Sequence, residues 1–243
     1  MNQNIHKKWV PNGLSNHPSR LMPSINYVTI HTTGNRNPTA TAEAHARFQF
    51  SGGGGRQASW HYTVDADDIW QSFKDQQMCW HTGTLIGNET SIGIEICINS
   101  QESFRAACDK TAWLTAVLLK RHGLGIDQVV QHHKWNGKNC PAELRSHTWD
   151  VSWNEFLLMI GRISKNLTEH ALSAEDTEAA VNALKNASIL FEENYWRSVF
   201  KGTIDLNRKW TKILVNRIID SRWIYFTPKM VGSVLLTMLG KRE

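Results

Sequence analysis

The chain has 243 residues, a formal net charge of +5 at pH 7 and an isoelectric point near 9.1. This length allows one full domain with a sizeable core and a smaller appendage. No apolar stretch approaches the ~20 residues that a membrane span requires, which excludes membrane insertion. The basic charge suits a polyanionic partner, but the sequence has no recognised nucleic-acid-binding signature and no dense Lys/Arg stripe, which argues against nucleic acid.

The amino terminus and the cysteines indicate where the chain is made. Residues 1–10 carry charge but lack the apolar core of a secretory signal, so we expect synthesis in the cytoplasm without a signal peptide. The four cysteines follow no disulfide-scaffold pattern and are expected to be reduced; they are Cys79, Cys97, Cys108 and Cys140.

The amino-terminal segments predict an arm, a strand and a helix, in that order. Residues 1–24 are interrupted by three prolines and indicate an irregular arm. Residues 25–30 are β-branched and aromatic, which is typical of a buried strand. Residues 39–50 are rich in alanine and favour a short helix, with Thr39 or Thr41 as its capping residue.

The next segments alternate strands with a helix. Residues 60–64 and 92–98 predict strands, and the alternation in the second places four isoleucines on one face and Glu95 on the other. Residues 103–121 predict a long helix that ends at a glycine, and residues 129–131 predict a short strand. Strands interleaved with helices predict an α/β domain with a mixed central β-sheet flanked by helices.

The character of the sequence changes after residue 163. We predict a first domain over residues 1–163, a polar linker over 164–174 and a small, mainly helical C-terminal module over 175–243. The second half of this module is basic. That pattern has two interpretations, an ordinary solvated face of a helical bundle or a docking face for an anionic polymer.

A candidate metal site combines one histidine with a distant segment. His31 follows the apolar run 27–30. The second histidine is either His132, eight residues before Cys140, or His133, seven residues before it. Two histidines and a cysteine leave open the fourth position that a catalytic zinc needs, whereas zinc fingers close all four. The alternative is a buried structural thiol with ordinary hydrogen-bonded histidines.

At these residues the sequence resembles the zinc N-acetylmuramoyl-L-alanine amidases of the type-2 family, which share a fold with the peptidoglycan recognition proteins. Within that family it is similar to the endolysins of phages that infect Gram-positive bacilli. Five segments carry the resemblance in the family's order, and they span roughly residues 20–162. They are residues 28–33 (VTIHTT), 59–65 (SWHYTVD), 80–83 (WHTG), 91–97 (SIGIEIC) and 131–141 (QHHKWNGKNCP).

The resemblance implies a role for each residue of the site. It implies that His31, His132 and Cys140 bind Zn²⁺, because the family's second histidine ligand lies eight residues before the cysteine. It implies that Glu95 is the general base and that Lys138 stabilises the oxyanion. Taken alone, Glu95 would be interpreted as a solvent-facing strand residue and Lys138 as a member of a surface salt bridge.

The resemblance also implies a substrate cleft. His61, Trp80 and His81 match positions that line the cleft in relatives and are candidate substrate contacts. Some relatives use a tyrosine where this chain has Trp60, which lacks an ionisable hydroxyl and so favours Glu95 as the base.

The function implied is zinc-dependent cleavage of the bond between N-acetylmuramic acid and L-alanine in bacterial peptidoglycan, by a lysin that reaches the wall through a phage holin. The C-terminal module would bind the wall, including an anionic wall polymer. Two alternatives share this fold or chemistry, a non-catalytic peptidoglycan recognition protein and a cytosolic amidase that recycles muropeptides. Cys140 argues against the first, and the long tail argues against the second.

Overall fold

A mixed six-stranded β-sheet forms the centre of the computed structural model, which describes residues 4–169 and Asn182. The strand order is β1-β4-β3-β5-β2-β6. The strands are β1 Ile5–Lys7, β2 Tyr27–Thr32, β3 Tyr62–Val64, β4 Ile69–Gln71, β5 Ser91–Ile96 and β6 Val129–Gln131. The β3–β4 pair is antiparallel, and the other four pairs are parallel.

Helices connect and follow these strands in the described part of the chain. They are α1 Ala42–Phe50, α2 Leu85–Thr90, α3 Phe104–His122, α4 His133–Asn136, α5 Ala142–Ser146 and α6 Trp153–Glu169. The combination confirms the predicted α/β class with a mixed central sheet. Among the residues described, no helix is both long and apolar enough to cross a bilayer.

The two faces of the central strands differ in chemistry. The isoleucines of β5 are wholly buried and alternate with Gly93 and Glu95, as the sequence predicts. Helix α3 contacts β2, β3 and β5 and supplies apolar side chains to this core. The face that carries Glu95 also carries His31, because the two residues are register partners on β5 and β2. The isoleucine face therefore holds the core and the opposite face is free for polar chemistry.

Two predicted helix ends are resolved by their caps. Helix α1 begins after Thr41, whose hydroxyl accepts a hydrogen bond from the backbone N–H of Ala44 at 3.2 Å, so Thr41 and not Thr39 is the cap. Helix α3 ends before Gly123, which adopts the left-handed conformation at φ 66° that favours glycine.

Other sequence predictions differ from the structure. The arm over residues 1–24 is not wholly irregular, because β1 pairs with β4 in parallel at one edge of the sheet. Helix α6 was not predicted, and it continues past residue 163 into the predicted linker. The predicted C-terminal module lies outside the described residues except for Asn182, so the domain boundaries remain a prediction.

A buried polar cluster ties the loop after β4 to the end of α3. Oδ1 of Asp75 accepts hydrogen bonds from the Tyr62 hydroxyl and from the Gln71 amide at 3.1 Å, and Oδ2 accepts them from Arg121 and His122 at 2.8 and 2.9 Å. Burial alone would raise the pKa of Asp75, but the hydrogen bonds from His122, Tyr62 and Arg121 outweigh it and hold the pKa well below its usual range.

Candidate metal centre and catalytic cleft

Three side chains from distant parts of the sequence form a buried cluster. His31, His132 and Cys140 each offer one ligand atom, and these atoms lie within 4.8 Å of one another. Nδ1 of His31 is 3.0 Å from Nδ1 of His132 and 3.8 Å from Sγ of Cys140. The three residues are between 2% and 5% exposed. The structure thus brings together the three residues that the sequence proposed as metal ligands.

The spacing of these atoms fits a tetrahedral zinc ion. Zinc binds nitrogen at ~2.0–2.1 Å and sulfur at ~2.3 Å, so two ligand nitrogens are separated by about 3.3 Å and a nitrogen and a sulfur by about 3.6 Å. The observed separations of 3.0 and 3.8 Å bracket these values. Nε2 of His132 is buried and has no hydrogen-bond partner in the described part of the chain, although the backbone of Thr82 acts on this ring and raises its pKa.

Secondary structure explains which of the adjacent histidines enters the cluster. His132 lies between β6 and α4 with helical φ and ψ of −50° and −35°, and it is buried. His133 is the first residue of α4, is exposed, and its ring approaches the Lys138 carbonyl at 3.1 Å. The two side chains diverge at the point where the chain turns into α4.

The protonation of the cluster suits metal binding by its histidines. Burial, followed by the charges of His81, His132 and Lys138, lowers the pKa of His31 well below 6.5. Burial and the charge of Lys138 also lower the pKa of His132. Both rings are therefore neutral near pH 7, which is the form that binds zinc. Burial, with the neighbouring Glu95, raises the pKa of the Cys140 thiol to about 12, so this ligand must lose a proton on binding zinc.

Glu95 lies directly beside the cluster. Its Oε1 is 3.9 Å from Nδ1 of His31, and its Oε2 is buried with no hydrogen-bond partner in the described part of the chain. The side chain is 15% exposed. Burial raises the pKa of Glu95 to about 7, with the charge of Lys138 opposing the shift. A carboxyl with a pKa near 7 and a free oxygen is equipped to take up and release protons.

Lys138 lies on the exposed side of the same site. It follows Gly137, and its backbone N–H donates to Oδ1 of Asn136 at 3.0 Å. Its charge lowers the pKa of Glu95, His31 and His132, which places the ammonium close enough to influence all three groups.

The three predicted substrate contacts occupy different positions. Trp80 is half-buried and is held by Ser59, whose hydroxyl accepts from the Trp80 N–H at 3.1 Å. His61 is wholly buried; Nε2 meets the Gln77 carbonyl at 2.8 Å and Nδ1 accepts from the Gly93 N–H at 3.0 Å. Both nitrogens of this buried ring are thus bonded to backbone groups, and substrate contact by His61 stays a prediction.

His81 lies beside the proposed metal ligand His31. It is 9% exposed, and its Nδ1 lies 3.0 Å from Nε2 of His31. Its Nε2 meets the carbonyl of Ser91 at 3.1 Å. The ring therefore contacts a proposed metal ligand, and its contact with a substrate stays a prediction.

A pocket of about 530 Å³ opens next to Glu95. Its wall combines the aromatic rings of Phe48 and Trp60 with the polar side chains of His45 and Arg56. The pocket has the size of a ligand site and provides apolar surface with a few polar groups. Neither His45 nor Arg56 was proposed from the sequence, because neither belongs to a motif.

A family model and the curated relatives that this chain resembles carry the same name, N-acetylmuramoyl-L-alanine amidase. The family model for N-acetylmuramoyl-L-alanine amidase matches residues 21–143. The chain is similar to the N-acetylmuramoyl-L-alanine amidase CwlH of Bacillus subtilis (37% identity over 156 residues; 63% of this chain, 59% of CwlH). It is also similar to XlyA of the same species (38% identity over 149 residues; 60% of this chain, 49% of XlyA). The chain thus spans about half to three fifths of the length of these curated relatives.

Solved structures share the fold. The catalytic domain of XlyA superposes with a TM-score of 0.59 at 37% identity, covering 65% of this chain and 99% of that domain. A mutant endolysin from Bacillus subtilis superposes with a TM-score of 0.60 at 36% identity, covering 66% of this chain and all of that one.

Proposed function

The chain belongs to the N-acetylmuramoyl-L-alanine amidase family, and we propose that it hydrolyses the amide bond between the lactyl group of N-acetylmuramic acid and L-alanine in bacterial peptidoglycan. The observation that carries this proposal is the buried cluster of His31, His132 and Cys140 beside Glu95. The curated relatives are named for this activity, which supports assigning it to this chain.

We propose Zn²⁺ as the cofactor, held by His31, His132 and Cys140. When bound, zinc supplies a Lewis acid that polarises the scissile carbonyl and makes water acidic. A set of two imidazoles and one thiolate suits zinc in a site with an open fourth position. The donor set and the separations of its atoms are the support for this assignment.

Glu95 carries out the proton transfers. Its unpartnered Oε2 takes a proton from the attacking water as the water oxygen bonds to the carbonyl carbon. It then delivers that proton to the alanine nitrogen as the C–N bond breaks, which leaves a carboxylic acid on the sugar and a free amine on the peptide. A pKa near 7 allows both steps at neutral pH.

Lys138 stabilises the charge that develops on the substrate. As water adds to the carbonyl carbon, negative charge accumulates on the carbonyl oxygen, and a nearby ammonium lowers the energy of that state. Lys138 is an exposed cation whose charge already acts on Glu95 and His31. The pocket beside Glu95 gives space for the neighbouring part of the substrate, and Trp80 remains a proposed contact.

The setting of the reaction is also a proposal. We propose that the protein is a phage-type lysin released to the wall by a holin, with residues 175–243 binding the wall or an anionic wall polymer. The similarity to an endolysin structure and the basic stretch in this region support it. The module lies outside the described residues apart from Asn182, so its contribution rests on sequence.

Digestion of purified peptidoglycan tests the activity. Mass spectrometry should find free amines on L-alanine and an intact glycan, and activity removed by a chelator should return with zinc. Cleaved glycan, or a new amine on any other residue of the stem peptide, would replace the proposed bond with another. Full activity in the zinc-free protein would reject the cofactor.

A further inference from the structure

Behind the proposed zinc ligands, two histidine rings and a backbone carbonyl form a continuous hydrogen-bonded chain. Nε2 of His31 is 3.0 Å from Nδ1 of His81, and Nε2 of His81 is 3.1 Å from the carbonyl oxygen of Ser91. The two rings are nearly perpendicular, at 72°, with centroids 5.2 Å apart. From this arrangement we propose that His81 is a positioning residue that holds a proton on Nε2 of His31 and so aims the Nδ1 lone pair at the metal.

The direction of each hydrogen bond in this series follows from its last member, the carbonyl group of Ser91. A carbonyl oxygen can only accept, so Nε2 of His81 must carry a hydrogen. In a neutral ring the other nitrogen, Nδ1, is then an acceptor, and Nε2 of His31 must be the donor that meets it. A charged His81 would place an unpaired cation in a site that is 9% exposed, which is costly. His31 therefore keeps its hydrogen on Nε2 and leaves Nδ1 bare.

The hydroxyl of Ser91 does not reverse the direction of these hydrogen bonds. It lies 3.5 Å from Nε2 of His81, but its hydrogen is already donated to the Gly87 carbonyl at 2.7 Å. The hydroxyl itself accepts from Thr29 at 2.9 Å, and Thr29 accepts from the indole N–H of Trp135 at 3.0 Å. The indole can only donate, so Trp135 donates to Thr29, Thr29 donates to Ser91, and Ser91 donates to the Gly87 carbonyl. None of these hydrogens is therefore donated to His81.

The position of the His81 ring is held on two sides. Its backbone N–H donates to Oδ1 of Asn88 at 3.0 Å, which ties the residue to α2. The ring lies against Gly93, where an added Cβ would be 2.6 Å from Nδ1. The space that the glycine leaves is filled by the imidazole, so His81 has little freedom to turn away from His31.

The unprotonated Nδ1 of His31 faces the other two proposed zinc ligands. Nδ1 is the atom that lies 3.0 Å from Nδ1 of His132 and 3.8 Å from Sγ of Cys140. Second partners of this kind orient a ligand and select its tautomer, and their loss typically costs 10–100-fold in metal affinity. The inference rests on the proposed zinc site, but it concerns how the chain prepares one ligand and not whether zinc is used in the reaction.

Nitrogen NMR of the full-length protein with ¹⁵N-labelled histidine tests the tautomers directly. In wild type, His31 should carry its hydrogen on Nε2 with Nδ1 unprotonated, and His81 should show the same pattern, both with and without zinc. A hydrogen on Nδ1 of either ring would overturn the inference. This measurement requires no variant and no activity.

Zinc affinity, measured by competition with a chromogenic chelator, tests the consequence. His81→Phe keeps a ring but removes the acceptor, and we expect zinc binding to weaken about 10–100-fold. His81→Asn returns an acceptor oxygen near the position of Nδ1 and should recover most of the loss. His17→Phe is the control, because His17 is similarly buried, at 7%, and hydrogen-bonds to Ser19 instead of the cluster.

The outcomes separate this inference from the proposed function. If His81→Phe folds and binds zinc within twofold of wild type, or if Asn recovers nothing, His81 does not position the ligand even though zinc is bound. If His81→Phe does not fold, the wild-type tautomers decide. If wild type itself binds no zinc, the proposed cofactor is wrong, whereas the tautomers of His31 and His81 can still be determined.

Discussion

His31 and Glu95 are register partners on the adjacent parallel strands β2 and β5, and their side chains leave the same face of the sheet, with Nδ1 of His31 3.9 Å from Oε1 of Glu95. A proposed zinc ligand and the proposed base are thus placed by a single backbone relationship. Register on a sheet with one buried face is strongly specified, because a slip by one residue would exchange the two faces. The pairing of these strands therefore sets the geometry between ligand and base.

Removal of the thiol should remove the metal. We expect Cys140→Ser to lose zinc and activity together, because the hydroxyl is a much poorer zinc ligand than a thiolate. Elemental analysis of the purified protein measures the zinc content. Cys108→Ser is the control, since Cys108 is wholly buried on α3 and is not part of the cluster. Full zinc occupancy in Cys140→Ser would refute the ligand assignment.

The adjacent histidines should behave differently. We expect His132→Ala to lose zinc and His133→Ala to keep it, because His132 is buried in the cluster while His133 is exposed on α4. The same metal analysis applies to both variants, with circular dichroism to establish that each is folded. The reverse result would show that the wrong histidine was chosen.

The base should be separable from the metal site. Glu95→Gln should retain zinc and fold but lose about 10²–10⁴-fold in turnover, because the amide is nearly isosteric and cannot accept the proton. Glu102→Gln is the matched control, since Glu102 is exposed and hydrogen-bonds to Ser100. Initial rates on solubilised peptidoglycan measure the effect. Near-normal turnover in Glu95→Gln would return this residue to a structural role.

Loss of the cation near the base should slow the reaction without releasing zinc. Lys138→Ala is expected to reduce turnover about 10²–10³-fold, similar to the loss of one oxyanion donor. Lys134→Ala is the control, because this nearby lysine lies over the rings of Tyr27 and Trp135. Equal effects of the two substitutions would indicate a general influence of charge and not a specific role for Lys138.

Stability should depend on Asp75 in a characteristic pH range. Its native pKa lies below the unfolded value of about 3.9, so its stabilisation is present above that value and is lost as the pH falls through it towards the native pKa. At pH 7, Asp75→Asn should cost roughly 3 kcal/mol, the low end for a broken buried pair, since Arg121 is partly exposed. Urea unfolding between pH 7 and pH 3 measures this.

The difference between wild type and Asp75→Asn should shrink as the pH falls. Asp67→Asn is the control, because Asp67 is exposed on the turn between β3 and β4 and should change stability by less than about 0.5 kcal/mol. A difference that stays constant down to pH 3 would mean that the carboxylate charge is not responsible.

The C-terminal region should be separable from catalysis. A chain that ends at Glu169, and so keeps the whole of α6, should fold, bind zinc and cleave small muropeptides at about the full-length rate while losing affinity for intact walls. The XlyA catalytic domain, which covers 65% of this chain, was solved as a domain of that length. Pulldown on purified walls at two salt concentrations compares the two forms, because exposed charge pairs are screened over ~8–10 Å at physiological ionic strength.

Equal wall binding by the shortened and full-length chains would reject the wall-binding module, and the tail would then be an oligomerisation or structural appendage. The basic residues expected to be responsible all fall outside the described residues. They are Arg208, Lys209, Lys212, Arg217 and Arg222.

The long or strongly patterned elements were predictable from sequence. The isoleucine alternation of β5 and the glycine-terminated helix α3 both appear where they were expected. The three-residue strands β1 and β4 were not predicted, although β3 and β6 are equally short; β1, with the sequence Ile-His-Lys, lies within the arm that was expected to be irregular. Helix α2 contains Gly87 and ends in Thr90, which weakens its helical signal.

Helix α6 was missed although the sequence carries a usable signal. Ser152 and Glu155 form a capping box, in which the Glu155 N–H donates to the Ser152 hydroxyl at 3.2 Å and the Ser152 N–H donates to the Glu155 carboxylate at 2.8 Å. The pattern Ser-x-x-Glu before an apolar run would have placed the start of this helix.

The candidate ligands could be proposed from sequence, but the contact between His31 and His81 could not. These residues are 50 positions apart and meet only because the sheet places His31 in front of a ring that fills the space above Gly93. Sequence patterns identify the residue types in a site, whereas a hydrogen bond between two rings depends on packing in three dimensions.

The contact between Gly93 and His81 constrains how the two positions can change during evolution. The backbone at Gly93 does not have the positive φ that would by itself demand glycine, so the restriction comes from the imidazole above it. A larger residue at position 93 becomes acceptable only after position 81 has lost the atom at the place of Nδ1, and that first step removes the hydrogen-bond acceptor of His31. Each single substitution is therefore unfavourable until the second has occurred. An evolutionary path that changes both positions has to pass through a sequence with a weakened metal site.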